Sequence, residues 1–556
     1  VKYIIIGAVA GGASTAARLR RLDEHAEIVI FEKGEYISYA NCGLPYYIGD
    51  VIKDRNKLFV QSASSFAARF NADVRVCTEV TSIDPAKKTV TVFDLNNFKV
   101  YEEPYDKLIL SPGARPLIPP LPGVDLEGVF SLRNVADTDY IKEYISRVSA
   151  RKAVILGAGF IGLEMAENLR HLGMEVSVIE MGGQILAATD FSIAAIAQKH
   201  LREKGLELYL DTTVEGFSRA GNNLKVLLKG GDVLDTDIVI LSAGVTPDTR
   251  LAKAAGLKTG AAKGILVNEY LQTSDENIYA VGDVIEFPNP VTGEPVVSSL
   301  AGPANKQGRI CADNLVSGNK RQYRGSVNTA IVKLFDLTVG VTGITAAGLK
   351  EKGISHLVSV IHSNSHAGYY PGASLMTIQI VFAPESGRLL GAQIIGGEGV
   401  DKRLDVFAAV ITNKGSIYDL TEIEHGYAPP FSSAKDPVNM AGFVAENILT
   451  GRLKTVQCTD LVNIGADAVL VDVRTEKEYI AGTINGALNI PLDDIRGRLA
   501  DFPADRDIYI FCQQGMRGYL AQRILTQNGF KKVLNLAGGY LLWKIYADEW
   551  RNLCKL

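Results

Sequence analysis

Two glycine runs and two carboxylates carry the first chemical signal. Gly7-Ala8-Val9-Ala10-Gly11-Gly12 and Gly157-Ala158-Gly159-Phe160-Ile161-Gly162 each lie between an apolar run and a helical pattern. Glycines at such a turn let the backbone approach a pyrophosphate, which rests on the N-terminus of the following helix. Glu32 comes 20 residues after Gly12, and Glu180 comes 18 after Gly162. At that spacing a carboxylate reaches the ribose hydroxyls of a dinucleotide. The second run is a complete GxGxxG. The first has Val9 where the middle glycine is expected, so taken alone it is also compatible with a ligand-free turn. Met181-Gly182-Gly183 follow Glu180, with no arginine close behind. A carboxylate there accepts from a free 2′-hydroxyl and repels a 2′-phosphate, which favours NADH over NADPH.

The elements around these residues repeat. Residues 2–6 read as a strand, 12–22 as a helix and 28–31 as a second strand ending at Glu32. Strand 153–156, helix 161–172 and strand 176–180 follow the same plan. Two copies of one nucleotide-binding unit indicate an internal duplication. Pro112-Gly113-Ala114-Arg115-Pro116 and Ala243-Gly244-Val245-Thr246-Pro247 read as paired crossover connections. Strand 277–281 then runs into Gly282-Asp283, so the first domain is expected to be discontinuous. From about 326 the alternation in 376–382 and the run 391–396 predict an antiparallel sheet, with helices at 401–413 and 434–450. A linker at 450–454 leads to a separate α/β pattern with strands near 468–472 and 507–511 and a helix from about 516.

The 556 residues are enough for about three to five domains. With 58 Lys+Arg against 62 Asp+Glu, a net charge of −4 and 47% hydrophobic residues, composition is that of a globular protein. It excludes a disordered chain or one seeking nucleic acid. Six cysteines without a CxxC pair speak against a disulfide framework and a structural metal site. No basic-then-apolar leader is read, nor an apolar run of the roughly 18 residues that would span a bilayer. A cytoplasmic protein with reduced thiols and no membrane partner is expected.

The duplicated turns together with Tyr279-Ala280-Val281-Gly282-Asp283 resemble the two-dinucleotide flavoproteins that include glutathione reductase, over residues 1 to about 446. The implied fold class is α/β: two Rossmann-like dinucleotide-binding domains, an α+β dimerisation domain and a C-terminal rhodanese α/β domain. The resemblance implies FAD at 1–112 with 247–325, held by Gly7, Ala8, Gly11, Gly12, Glu32, Lys33, Gly282 and Asp283. It implies the nicotinamide nucleotide at 113–246, held by Gly157, Gly159, Gly162 and Glu180, and dimerisation through 326–449. Ser38-Tyr39-Ala40-Asn41-Cys42-Gly43-Leu44-Pro45 falls where such proteins face the flavin. Relatives with an internal disulfide have a second cysteine five positions on; here that residue is Tyr47. A single thiol must use a sulfur partner from its substrate or oxidise its own sulfur.

This segment and the first glycine run are similar to the coenzyme A-disulfide reductases. That similarity implies attack by Cys42 as a thiolate, favoured by a helix N-terminus or nearby backbone amides. It also implies a coenzyme A site at Ser14, Arg18, Arg21, Ser38, Asn41, Arg69 and Lys435; Arg18 and Arg21, at i and i+3, share a helix face. His425-Gly426-Tyr427-Ala428-Pro429-Pro430-Phe431 resembles the segment that reaches the other subunit's flavin site in a homodimer. Tyr427 is the candidate proton donor, Tyr369 or Tyr370 a second, and His425 is read as structural.

Residues 455–556 resemble a rhodanese domain, through Val469-Leu470-Val471-Asp472-Val473-Arg474, Glu478-Tyr479 and the loop Cys512-Gln513-Gln514-Gly515-Met516-Arg517. Such a loop aims successive amides at the sulfur of Cys512, with Arg517 adding positive charge. The whole resembles coenzyme A-disulfide reductase–rhodanese fusions. Electrons would pass from NADH through FAD to a sulfur adduct on Cys42, from a coenzyme A persulfide, a polysulfide or a coenzyme A disulfide. Two rivals are an NADH oxidase or peroxidase using Cys42 as a sulfenate, and a sulfurtransferase with a flavoprotein platform. The first is disfavoured by Ala10 where those relatives carry a histidine, the second by the intact second glycine motif.

Overall fold

Four of the five residues of strand Lys2–Ile6 are buried, and so are four of the five of Glu27–Phe31. Runs of this kind suit a parallel sheet covered on both faces. In the computed structural model the two strands pair in parallel, and Lys107–Leu110 and Ile278–Ala280 complete that side of the sheet. Asp73–Arg75 closes the other edge. The return of strand Ile278–Ala280 beside Lys107–Leu110 makes the first nucleotide fold discontinuous in sequence. The structure describes residues 1–554 apart from 222, 463, 465–467 and 504.

By its contacts the chain divides into two units, Val1–Ile179 with Thr213–Asn328 and Glu180–Thr212 with Thr329–Leu556. The first unit also holds the second parallel arrangement, in which Glu175–Ile179, Lys152–Leu156, Ile238–Leu241 and Val129–Ser131 lie side by side. Ala114–Pro116 and Val245–Pro247 pair antiparallel, so the two crossovers run together as the sequence indicates. The first helix spans Ala10–Leu22, two residues longer than read, because Val9 takes the N-cap position. It packs on Ala301–Ser317 so closely that a Cβ on Gly308 would lie 2.6 Å from the Gly11 carbonyl oxygen.

In the second unit Leu375–Phe382 lies between Leu357–Asn364 and Leu389–Gly396 in an antiparallel sheet. The alternation in its sequence does not mark a solvent face, since Met376 to Phe382 are all buried. Gln379 and Gln393 are cross-strand partners and both donate from Nε2 to Asp190, at 2.6 Å each, at the N-terminus of helix Phe191–Glu203. On the opposite face Gly340 admits Leu404 of helix Val400–Thr412. The last helix of this sheet's layer begins at Pro437 rather than 434, because Asp436 caps the Val438 amide and proline suits the first helical position. The C-terminal domain is a parallel sheet ordered Thr455–Val456, Val533–Leu536, Ile508–Phe511, Val469–Asp472, Leu488–Asn489. Its central strand ends at Phe511, one residue before Cys512. Among the described residues no helix is long and apolar enough to cross a membrane.

Candidate active site

The first glycine turn is shaped for close backbone approach. Gly7 has φ +94°, and a Cβ there would sit 2.2 Å from the Ser111 carbonyl oxygen; a Cβ on Gly12 would sit 1.8 Å from that of Gly7. No side chain caps the helix that follows, which leaves its first amides to an anion. Glu32 accepts hydrogen bonds from the Ala8 and Gly34 amides, both at 2.9 Å. Burial nevertheless pushes its carboxyl up. Lys33 is exposed and ion-paired with Glu79 at 2.9 Å. At the end of strand Ile278–Ala280, Gly282 has φ +84° and its amide donates to buried Gln307 at 2.7 Å. Burial pushes Asp283 up, against the pull of Arg133. These residues fit a flavin dinucleotide: a pyrophosphate cradle, a ribose carboxylate and an acidic residue at the neighbouring strand end.

The second turn is built alike. Gly157 has φ +107°, with Ser242 O 2.3 Å from its would-be Cβ, and Gly162 closes on Gly157. Gly159 differs: a Cβ there would meet no protein atom within 4 Å. Packing does not demand that glycine, whereas a pyrophosphate approaching the backbone would. Glu180, the residue after strand Glu175–Ile179, accepts from the Gly182 amide at 2.9 Å.

Cys42 lies in the turn Asn41–Gly43, ahead of the short helix Leu44–Ile48. It is open to solvent and is not disulfide-bonded. The expected thiolate-favouring surroundings are not what the structure provides. Burial pushes the thiol up, and the carboxylates of Glu164 and Asp283 push it further, because a second negative charge there is disfavoured. A five-residue helix offers little dipole to oppose them. Glu164 is held by the Tyr46 hydroxyl at 3.2 Å, and burial pushes it up to about 7. Helix Val135–Val148 clamps the same segment through Arg55, whose Nη2 reaches Asp139 at 2.6 Å, and through Lys142, which donates to the Tyr47 carbonyl at 3.0 Å. Nothing in a single sequence links Arg55, Lys142 or Glu164 to Cys42.

The residues expected to contact coenzyme A divide. Ser14 bonds Asn305, and Arg18 pairs with Asp313 at 2.8 Å, both on helix Ala301–Ser317. Arg21 and Arg69 are exposed. Ser38 has φ +47°, and its amide donates to the Ala8 carbonyl of the first glycine turn at 2.8 Å, which brings Ser38 beside that turn; Asn41 opens the turn that carries Cys42. Arg20, not singled out from sequence, is buried and donates to five backbone carbonyls.

In the second unit the hydroxyls of Tyr369 and Tyr427 lie 3.0 Å apart, and both residues are exposed. Tyr369 is therefore the partner of Tyr427; Tyr370 packs edge-on against His366. Burial pushes His425 down. The two tyrosine segments are fastened by the buried pair Arg403–Asp436 at 2.9 Å. Arg403 also donates to the Ser365 carbonyl at 2.8 Å, and the Ala367 amide donates to that of Ser432 at 3.0 Å. Lys435 is exposed beside Asp436.

Cys512 is 2% exposed, and the Gly515 amide points at its Sγ from 3.1 Å. Gly515 has φ +118°, which turns the loop into helix Met516–Gln527. Arg517 reaches the sulfur, and also grips both oxygens of Glu478 at 2.7 and 2.6 Å. Arg474, paired with Asp472 at 2.7 Å, donates to Gln513 Oε1 at 3.1 Å.

Comparison with known proteins agrees with this geometry. Residues 1–308 match the pyridine nucleotide-disulphide oxidoreductases, 329–437 their dimerisation domain and 458–546 the rhodanese-like domain. The chain belongs to the pyridine nucleotide-disulphide oxidoreductase family. It carries the α/β fold class expected, with a dimerisation domain and a C-terminal rhodanese-like domain. The crystal structure of reduced Bacillus anthracis CoADR-RHD is similar at 47% identity and a TM-score of 0.96, covering 99% of this chain and 98% of that one. An NAD-dependent persulfide reductase from A. fulgidus matches at 36% identity and 0.91, over 98% and 100%. A Staphylococcus epidermidis coenzyme A disulfide reductase is 35% identical over 80% of this chain and 100% of its own length. A Methanocaldococcus jannaschii NADH oxidase is 36% identical over 79% and 98%.

Proposed function

We propose that this oxidoreductase uses NADH and FAD to reduce a coenzyme A persulfide, a polysulfide or a coenzyme A disulfide at Cys42, while its rhodanese-like domain carries sulfane sulfur on Cys512. One observation supports the reading above the others. Cys42 lies within electrostatic reach of Asp283, on the first nucleotide fold, and of Glu164, on the helix that follows the second glycine turn. A thiol between two nucleotide turns, with Tyr47 where a second cysteine would stand, is arranged to meet a sulfur from outside.

FAD at the first turn would supply the route by which two electrons of NADH reach sulfur. The chain's own residues do the rest. The Cys42 thiolate attacks the coenzyme A sulfur of a persulfide, forms a mixed disulfide and expels hydrosulfide. Tyr427, supported by Tyr369 and reaching in from a second copy of the chain, protonates the leaving sulfur. Ser38 and Asn41 contact the coenzyme near the thiol, and Arg18, Arg21, Arg69 and Lys435 face its phosphates. The net change is RSSH + NADH + H⁺ → RSH + H₂S + NAD⁺. A cytoplasmic setting suits a reaction that draws on NADH.

The test is an anaerobic assay of the homodimer with NADH and coenzyme A persulfide. One H₂S and one coenzyme A thiol per NADH are expected, with FAD released on denaturation. Turnover seen only with oxygen, as in the relative named NADH oxidase, would overturn the reading.

A further inference from the structure

The charges around Cys512 are balanced in a way that bears on the sulfur donor. Two guanidinium groups lie at the loop, and each is paired with a carboxylate. Arg474 is buried against Asp472. Arg517 is bidentate on Glu478, and such a fork-to-fork pair directs both groups at each other. The intervening side chains, Gln513, Gln514 and Met516, are uncharged. Glu478 cannot readily swing away: it closes the capping box of helix Glu476–Ile480 and accepts from the Thr475 amide at 3.1 Å and hydroxyl at 2.9 Å. Arg517 beside it holds its carboxyl down at about 2, so the charge is present at every working pH. Both partners are 33% exposed, so an arriving donor meets the pair directly.

We propose that the Arg517–Glu478 pair sets the donor class of this domain, admitting persulfide thiols of at most one negative charge at the sulfur and discriminating against dianions such as thiosulfate. This rests on Cys512 being the sulfur carrier and deepens that reading. With a persulfide, the Cys512 thiolate bonds the outer sulfur and expels one thiolate: Cys–S⁻ + R–S–SH → Cys–S–SH + RS⁻. With thiosulfate the same attack must expel a sulfite dianion, and both guanidinium groups at the loop are already neutralised by a carboxylate. Glu478 acts through Arg517 and is a positioning residue.

The experiment uses the full-length holoenzyme without NADH, with cyanide as final acceptor and thiocyanate as readout. Glutathione persulfide and thiosulfate are the donors. The unaltered protein should favour the persulfide in kcat/KM by about 100-fold or more. Glu478→Gln keeps the contacts to Thr475 but removes the charge; it should raise kcat/KM for thiosulfate about tenfold, mostly through KM, and leave the persulfide within about threefold. That gain should fade at high salt, as an interaction with an exposed cation does. Gln514→Arg adds an unpaired cation at an exposed loop position without touching Glu478, and should shift the ratio the same way. A thiosulfate preference in the unaltered protein, or an unchanged ratio in both variants, overturns the assignment of donor class. Full sulfur loading in Cys512→Ser would overturn the carrier reading instead.

Discussion

Cys42 and Cys512 sit in local fields of opposite character. Burial pushes the Cys42 thiol up, and two carboxylates around it, Glu164 and Asp283, push it further. Around Cys512 stand the Gly515 amide and the Arg517 guanidinium. Cys42 is open and flanked by nucleotide turns; Cys512 is buried at the end of a central strand. The contrast teaches what each thiol waits for. Cys512 has a donor amide and a guanidinium from its own loop beside the sulfur. At Cys42 burial and the two carboxylates oppose the thiolate, so the proposed attack there calls for a polarised sulfur substrate. On the proposed reading, sulfur carriage and redox chemistry are divided between thiols on separate domains.

The sharpest break of this comparison is to remove each sulfur in turn. Cys42→Ser should retain bound FAD and its absorbance, while NADH-driven reduction of persulfide and disulfide falls at least about 10³-fold, the scale for losing a nucleophile. Cys512→Ser should spare that reduction for small persulfides within about threefold and lose thiocyanate formation by a similar 10³-fold factor. Parallel loss of both activities in either variant would mean that sulfur always passes through both thiols.

Next in size is the proton donor that Cys42 lacks locally. Tyr427→Phe should slow turnover about 10²-fold, the lower range for general-acid catalysis, with NADH-to-FAD electron transfer still fast in stopped flow. Mixing this variant with Cys42→Ser under subunit exchange should restore part of the activity, since one site of the mixed dimer then has both groups. Demonstrated heterodimers without recovery would count against a shared site.

What the sequence made legible was whatever is local. Each glycine turn and its carboxylate lie within one βαβ unit, so spacing alone placed Gly7, Gly12 and Glu32, and likewise Gly157, Gly162 and Glu180. The Cys512 loop is six consecutive residues. What spacing could not show is pairing between distant segments. Ser14 and Arg18 share a helix with Arg21, yet their partners Asn305 and Asp313 lie 291 and 295 residues away. The Cys42 thiol is raised by burial first and then by Glu164 and Asp283, both far along the chain, which is why its thiolate was expected and its raised pKa was not. Glu478 was visible only as part of a motif; its grip on Arg517, 39 residues on, is tertiary.

A smaller effect concerns the electron source that Cys42 depends on and Cys512 does not. Glu180 should give a preference for NADH over NADPH of about 10- to 150-fold in kcat/KM, from a charge-assisted hydrogen bond of roughly 1.5–3 kcal/mol. Glu180→Ala should narrow it. Steady-state kinetics with both nucleotides decides, and a clear NADPH preference would contradict this role.

The smallest effect probes the acidic field itself. Burial, with Glu167 adding, pushes Glu164 up to about 7 despite the Tyr46 hydrogen bond. Above that pH its charge opposes the Cys42 thiolate. Glu164→Gln removes that charge but leaves Asp283, so the alkylation midpoint of Cys42 should move down. The same variant has a stability signature of definite sign. Between pH 4.5, the ordinary value, and about 7, the folded chain keeps a proton on Glu164 that the unfolded chain releases. Stability from this group is therefore complete below 4.5 and is lost as pH rises towards 7. The glutamine cannot release a proton, so the fall in the urea midpoint across that window should flatten. A Cys42 midpoint that stays put while the stability slope flattens would show that Glu164 titrates as described but does not govern the thiol, and Asp283 would then be the carboxylate to replace.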